Sequence, residues 1–341
     1  NENHTAYIKM ERTVSDEVLY LQTKLDKNPV TRFLAFSALF EREMVRLLED
    51  ENASPSEAFA KEVMRTLKDE ELKQSCGAMP LLMFESVSDP RFSHAYAKLY
   101  SAKQKILRNI AGLFKEELLG LYAKYAETLP KNGFCPAVLS AQFKRNAVRN
   151  LILTILAALD SADVQELIST QYHTAESATV RLSALSLYLS SSAADRRELL
   201  AEELARSASH PLAFENCIAA AANTARDTVS YLRMIEESPM FHIEQAGEAR
   251  ALYLRFAQNR KVSLETEEGR EFLAESIIRL AKVNAYITTG MLSVFSHMHE
   301  AEETERAVQR NLLSRIAEGV SAKESPAVYQ TLQQIMTATE E

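Results

Sequence analysis

The chain has 341 residues with only 8 Gly and 9 Pro, is 46% hydrophobic, and carries 39 Lys and Arg against 47 Asp and Glu, a formal net charge of -8. So little Gly and Pro in a background of Leu, Ala, Glu, Lys and Arg favours helices over strands, and the length suffices for a large core, built as two or three domains or as one repetitive array. The negative balance, with no cluster of five or more basic residues to offset it, argues against nucleic acid, and the longest apolar run, Leu151 to Leu159, is too short to span a bilayer.

Residues 1–14 mix Thr, Tyr, Ile and Val with charges and show no helical period, so they read as a linker or the end of a preceding domain. Residues 15–341 read as one helical unit. Periodicity predicts helices over 16–26, 30–50 and 55–68, the third opened by Ser54-Pro55-Ser56-Glu57, in which Ser caps, Pro takes the first position and Glu reaches back. Cys76-Gly77-Ala78-Met79-Pro80 and Ser88-Asp89-Pro90 break the pattern. A long helix follows over about 93–128, ended by Leu129-Pro130-Lys131-Asn132-Gly133.

The second half is more regular. Helical segments near 138–159, 162–171, 176–190, 194–207, 211–223 and 226–237 are joined by very short connections, which makes them antiparallel hairpins. Leu151, Ile152, Ile155, Leu156 and Leu159 form a stripe wide enough to pack on two neighbours. Further helices are predicted near 246–257, 268–282, 284–298, 302–318 and 324–337. The fold class is all-α, a curved α-α superhelix resembling a solenoid, although no sequence repeat is strong enough to name a repeat family.

Little here carries chemistry. His297-Met298-His299-Glu300 has the start of the zinc-protease motif H-E-x-x-H, but the position four residues after His299 is Glu303 rather than a second His. His4, His94, His173, His210 and His242 are single and widely spaced, and read as structural. The carboxylate pairs Glu267-Glu268 and Glu302-Glu303 read as solvated helix faces. No nucleophile elbow, phosphate loop or cysteine-protease signature occurs. Cys76, Cys135 and Cys217 are far apart with no C-x-x-C spacing, so free thiols and a cytoplasmic setting are expected. Cys217, among Phe214, Ile218 and Ala219 to Ala222, is expected to be buried.

Several segments, in one order, resemble the C-terminal helical domain of the aminopeptidase N family, nearest its bacterial-type branch. Lys27-Asn28-Pro29-Val30-Thr31-Arg32-Phe33-Leu34-Ala35 is similar to the family's acidic-x-D-P-F-N-R-x-x-A opening. Arg145-Asn146-Ala147-Val148-Arg149-Asn150 is similar to R-x-L-R-N, and Ala178 to Leu185 to M-T-D-R-x-x-A-L. Ser238-Pro239-Met240-Phe241 through Arg250-Ala251-Leu252 looks like H-P-x-F followed by N-x-x-R-x-L, continued by Phe256, Ala257 and Asn259. Departures mark a divergent member. Glu215-Asn216-Cys217-Ile218 stands where the family tends to have D-K-W-F, and Asn284 to Gly290 resembles N-P-x-V-A-x-R with Gly290 in place of the final Arg.

The resemblance implies a non-catalytic domain of a zinc aminopeptidase that removes N-terminal residues from peptides. It implies that this domain caps the catalytic domain and shapes substrate access, so the partners are the upstream catalytic domain of the same polypeptide and peptide substrates in a shared cavity. Zinc would belong to the parent enzyme: its ligands, its general-base Glu and its substrate loop lie upstream in the family, and none is in this sequence. By the resemblance, Arg250 matches a cavity-facing Arg and is the substrate-binding candidate, and Gly290 replaces its partner. The chain alone is expected to be inactive. The alternative is a stand-alone scaffold of the HEAT or armadillo kind that binds a protein or peptide along its concave face.

Overall fold

The computed structural model describes residues 14–126 and 135–338, and among them every regular element is helical. The first of these residues precedes α1 (Asp16–Leu25), which forms a hairpin with α2 (Pro29–Glu49). Asn28 starts α2 by accepting the Val30 N–H at 2.9 Å, with Pro29 at the first position where its missing donor costs nothing. Arg32 then ties this corner together, donating to the carbonyls of Lys24 and Asp26 and to the Asp69 carboxylate at 2.9 Å.

α3 (Glu57–Lys68) begins differently from the sequence expectation. Ser56, not Ser54, is the cap, accepting the Phe59 N–H, so Pro55 lies outside the helix. The Ser56 N–H is satisfied by Glu43 of α2 at 2.6 Å rather than by Glu57, because Arg46 already holds the Glu43 carboxylate beside it. The pattern also missed α4 (Glu70–Cys76). Asp69 ends α3 and caps α4 through the Leu72 N–H, a single residue too short to register as a loop. α5 (Tyr96–Lys124) follows, with a kink at Phe114. The turn expected at Leu129 to Gly133 lies outside the described residues, as do residues 1–13 of the expected linker.

The array begins with α6 (Pro136–Ala157), α7 (Ala162–Thr174), α8 (Ala178–Ser190), α9 (Arg196–Ser207), α10 (Pro211–Ala222) and α11 (Thr228–Glu236). α6, α8 and α10 pack side by side in one layer, and α7, α9 and α11 each return along a second. The stripe on α6 explains this packing, since Ile152, Ile155 and Leu156 are fully buried. The second layer continues through α15 (Glu267–Leu280) and α17 (Glu303–Gly319), and the first through α16 (Ala285–Leu292) and α18 (Pro326–Ala338). The result is the α-α superhelix.

The family-like motifs are clamps between these helices. Arg149 of α6 donates to Tyr122 of α5, Tyr122 donates to Gln171 of α7, Gln171 donates to Asn150 of α6, and Asn150 donates to Ser183 of α8. Next along the array, Arg181 of α8 and Tyr172 of α7 both reach the fully buried carboxylate of Glu203 on α9, at 3.1 and 3.0 Å. A buried carboxylate is tolerated only when paired and hydrogen-bonded in this way.

One strut crosses the layers. Arg108 of α5 meets the Ala158 carbonyl at the end of α6, and twelve residues earlier, about 18 Å along the helix, the first N–H groups of α5 reach α14 (Arg260–Ser263) and the loop behind it. There Glu265 accepts from the Tyr96 and Ala97 N–H groups at 2.7 and 2.6 Å. Ala95, which precedes α5, offers no side-chain cap. A carboxylate 169 residues away therefore supplies it.

Candidate functional site

The segment carrying Arg250 is one helical run that changes pitch. α12 (Ala246–Ala249) passes into a π-helical turn over Arg250–Leu254 and then into α13 (Arg255–Gln258). The widened turn buries Ala251, Leu252 and Tyr253 in succession and leaves Arg250 exposed at its start. Such π turns are rare and concentrate at functional positions.

Three groups of contacts fix this turn from behind. Tyr253 donates to the Glu236 carboxylate at 2.8 Å, Arg279 bonds both partners, and Phe241 packs edge-on against the Tyr253 ring at 6.1 Å. Burial, reinforced by the Glu236 charge, pushes the Tyr253 hydroxyl far above its ordinary range, so it remains a donor. On a second side, Gly247 lies against Glu215 of α10, where any Cβ would overlap the carboxylate. Glu215 begins the departure from the family's D-K-W-F. On the third side α16 packs against the turn, and Gly290 sits there with room for a Cβ only 3.3 Å from Leu254. The structure thus brings Arg250 and Gly290 to neighbouring elements.

Arg250 itself is free. Among the described residues its guanidinium has no hydrogen bond or ion pair. Glu248, two residues before it, instead accepts the His242 N–H at 2.7 Å. Tyr253, Glu236 and Arg279 went unnoticed in the sequence because Tyr on an apolar face and charges on wet helices are ordinary. Only the run Glu236 to Phe241, where a helix stops at Ser238-Pro239, marks the place.

The His-rich stretch is not on a helix. The helix predicted over 284–298 ends at Leu292, and Met298–Glu300 is a single 3-10 turn. His297 shares the Glu300 carboxylate at 2.8 Å with His299 at 3.8 Å, and Ser93 donates to its other oxygen. Glu303 opens α17 and pairs with Arg306 and Arg310. No group of three or more His, Cys, Asp or Glu among the described residues is arranged to hold a metal ion. The stretch His297 to Glu303 does not present the ligand set of a catalytic zinc. His210 precedes α10 with its ring against Ser209, His173 packs on Tyr172, and His94 holds a buried nitrogen without a partner; His4 lies outside the described residues.

The three thiols are free, with Cys135 exposed and Cys217 fully buried. Burial pushes the Cys217 thiol far up, which makes it inert. Glu267, Glu268, Glu302 and Glu303 are all exposed. No helix among the described residues is long and apolar enough to cross a membrane.

Comparison with known proteins agrees with this architecture. A solved aminopeptidase A from Legionella pneumophila, in complex with aspartic acid, superposes with a TM-score of 0.79 at 16% identity, covering 97% of this chain. The chain spans 39% of that protein. Residues 16–335 match the family described as "Domain of unknown function (DUF3458_C) ARM repeats". The motif resemblance and the match over nearly the whole chain agree: the chain belongs to the DUF3458_C ARM-repeat family, the C-terminal helical domain of the aminopeptidase N family.

Proposed function

We propose that this domain caps the catalytic domain of a cytoplasmic zinc aminopeptidase and shapes the entry of peptides, with Arg250 on the peptide path. The observation that supports it is the exposed, unpartnered guanidinium on a π turn that three neighbouring elements hold in place. A guanidinium so placed suits peptide carbonyls or a carboxylate beyond the cut bond, since its planar fork bonds two oxygens at once. The zinc and the hydrolytic step belong to the rest of the polypeptide. Gly290 leaves Arg250 as the sole family-like cation of the pair, so the whole recognition falls on one residue.

In the full-length enzyme, Arg250→Ala raises KM for tripeptides and longer substrates by an amount worth about 1 to 3 kcal/mol, while small amide reporters are nearly unaffected. Equal losses on both substrate classes, or no loss on peptides, remove Arg250 from the path. The competing reading, a stand-alone armadillo-like scaffold, requires that the reading frame upstream of Asn1 lack H-E-x-x-H and its downstream Glu.

A further inference from the structure

A second feature lies at the opposite end of α10 from Arg250, since Gly247 meets Glu215 early in α10 whereas Asn259 bonds the Ala222 carbonyl at its end. There the first half of α5 passes the turns that follow α6, α8 and α10, and with them lines a half-open cavity of about 560 Å³. Its lining holds three cations, Lys105, Arg108 and Arg226, against one carboxylate, Asp160, in a chain whose net charge is -8. The sign of the cavity is opposite to that of the protein.

The donor and acceptor inventory sharpens this. Arg108 spends only its Nε on the Ala158 carbonyl at 3.0 Å, and Lys105 spends one bond on the Glu51 carbonyl at 2.8 Å. Tyr100, Gln104 and Ser190 also line the cavity, and none of their side-chain polar groups has a hydrogen-bond partner among the described residues. The one carboxylate and the helix-end carbonyls are already engaged. Asp160 Oδ1 receives the Ser192 N–H and the Gln165 amide, both at 2.9 Å, and the carbonyls at the helix ends are bonded by Ser191 at Tyr188 and by Asn259 at Ala222. The helix C-termini, which would otherwise attract these cations for their own sake, are largely satisfied. Further charge stands behind the wall, where Lys103 and Lys261 share the single carboxylate of Glu85 and the Lys261 ammonium lies 5.0 Å from the centre of the Tyr100 ring.

The turns beside Arg226 share an uncommon backbone. Asp160 and Asp227 are the two non-glycine residues with left-handed backbone among those described, both at φ 50°. Asp160 lines the cavity and pairs with Arg226 at 3.5 Å, and Asp227 follows Arg226 and is held by Arg196 at 2.9 Å. Aspartate is one of the few residues besides glycine that adopt this backbone readily, so both turns form without a glycine. Here both flank or face Arg226.

We infer that this cavity binds an oxygen-rich anion, a carboxylate or phosphate group on a small molecule, between Arg108 and Arg226, with Tyr100, Gln104 and Ser190 donating to the remaining oxygens. The inference does not rest on the aminopeptidase reading. Calorimetric titration of the 341-residue chain at fixed ionic strength with inorganic phosphate, pyrophosphate and succinate tests it. One anion class binds at a single site, more weakly as chloride rises, and the preferred class tells a phosphate-bearing from a carboxylate-bearing ligand. Arg108→Ala and Arg226→Ala each weaken binding about tenfold or more. Tyr100→Phe keeps the ring beneath Lys261 and removes only the hydroxyl, so it weakens binding by a smaller factor without disturbing the fold. No binding of any of the three anions at millimolar concentration overturns the assignment, and so does binding that Arg108→Ala and Tyr100→Phe both leave unchanged.

Discussion

The array from α6 to α11 and the run from Ala246 to Glu265 are both helical, yet they are held in different ways. In the array, neighbours clamp neighbours: Arg181 and Tyr172 meet at Glu203, and Asn150 meets Ser183, over separations of a few tens of residues or less. In the second region the helices are four residues long and one turn is π-helical; Glu215 against Gly247 and Ala222 against Asn259 span distances like those of the array, but α5 reaches Glu265 across 169 residues. A repeating array carries its instructions in local sequence. An irregular segment takes its shape from what it is pressed against, and in this domain both candidate binding features border such a segment.

The sharpest break of the array is at its buried carboxylate. Glu203→Ala strands the Tyr172 hydroxyl and leaves Arg181 without its main partner, and should cost about 3 to 5 kcal/mol, the usual range for removing one side of a buried pair. Urea denaturation followed by circular dichroism measures it. Glu203→Gln, which keeps an acceptor for Tyr172, should lose distinctly less. Equal losses would mean that the charge, not the hydrogen bonds, locks these three helices.

A smaller break belongs to the second region. Gly269 sits in the first turn of α15, where an added Cβ would overlap the Val262 carbonyl and crowd the Thr266 hydroxyl that caps the helix. Backbone cannot step aside as a side chain does, so Gly269→Ala should cost about 1 to 3 kcal/mol. Gly247→Ala meets only the mobile end of Glu215 and should cost less. A reversed order, measured by thermal melting, would show that the π turn, not the α14–α15 corner, is the tight point.

These two regions also differ in how far the sequence disclosed them. The array is readable to within a few residues, because Leu151, Ile152, Ile155 and Leu156 carry the helical period and the connections are short. The motifs that gave the family, Arg149-Asn150 and Arg181 among them, proved to be clamps of the scaffold. The π turn and the end of α16 at Leu292 are not legible, since no local residue forbids a continuous helix there, whereas the helix end expected near 257 falls at Gln258. The same limit hid the positive cavity: Lys105 and Arg108 of α5, Asp160 and Arg226 lie on three separate stretches, and only the passage of α5 assembles them.

The remote cap offers a gentler test of the distinction. Glu265→Ala frees the Tyr96 and Ala97 N–H groups at the start of the longest helix, and should cost about 1 kcal/mol, as for other lost caps. Burial pushes the Glu265 carboxyl up despite its two donors, so part of the capping gain is spent on desolvation. Hydrogen exchange should quicken in the first turns of α5 and leave α6 to α11 unchanged. Faster exchange spread over the array would show that the strut, rather than the clamps, keeps the layers together.

The smallest effect concerns α4, the other element that local sequence failed to disclose, and it too depends on distant partners. Glu70 meets Lys124 and Tyr125, more than fifty residues away, and its carboxyl is held down to about 2 from its ordinary 4.5. The Lys124 hydrogen bond is the main cause, with desolvation opposing it and Tyr125 and Lys73 assisting. A carboxyl with a depressed folded value stabilises the protein above the unfolded value, and that contribution disappears as pH falls from 4.5 toward about 2. Because the side chain is 44% exposed, solvent screening keeps the effect modest. Lys124→Met should therefore lower Tm slightly at pH 6 and progressively less as pH falls below 4.5, so that the melting curves of variant and parent converge in acid. A gap that stays constant from pH 6 to pH 3 would mean that Lys124 acts through its packing on Tyr125, and that burial rather than the Glu70 charge holds α4.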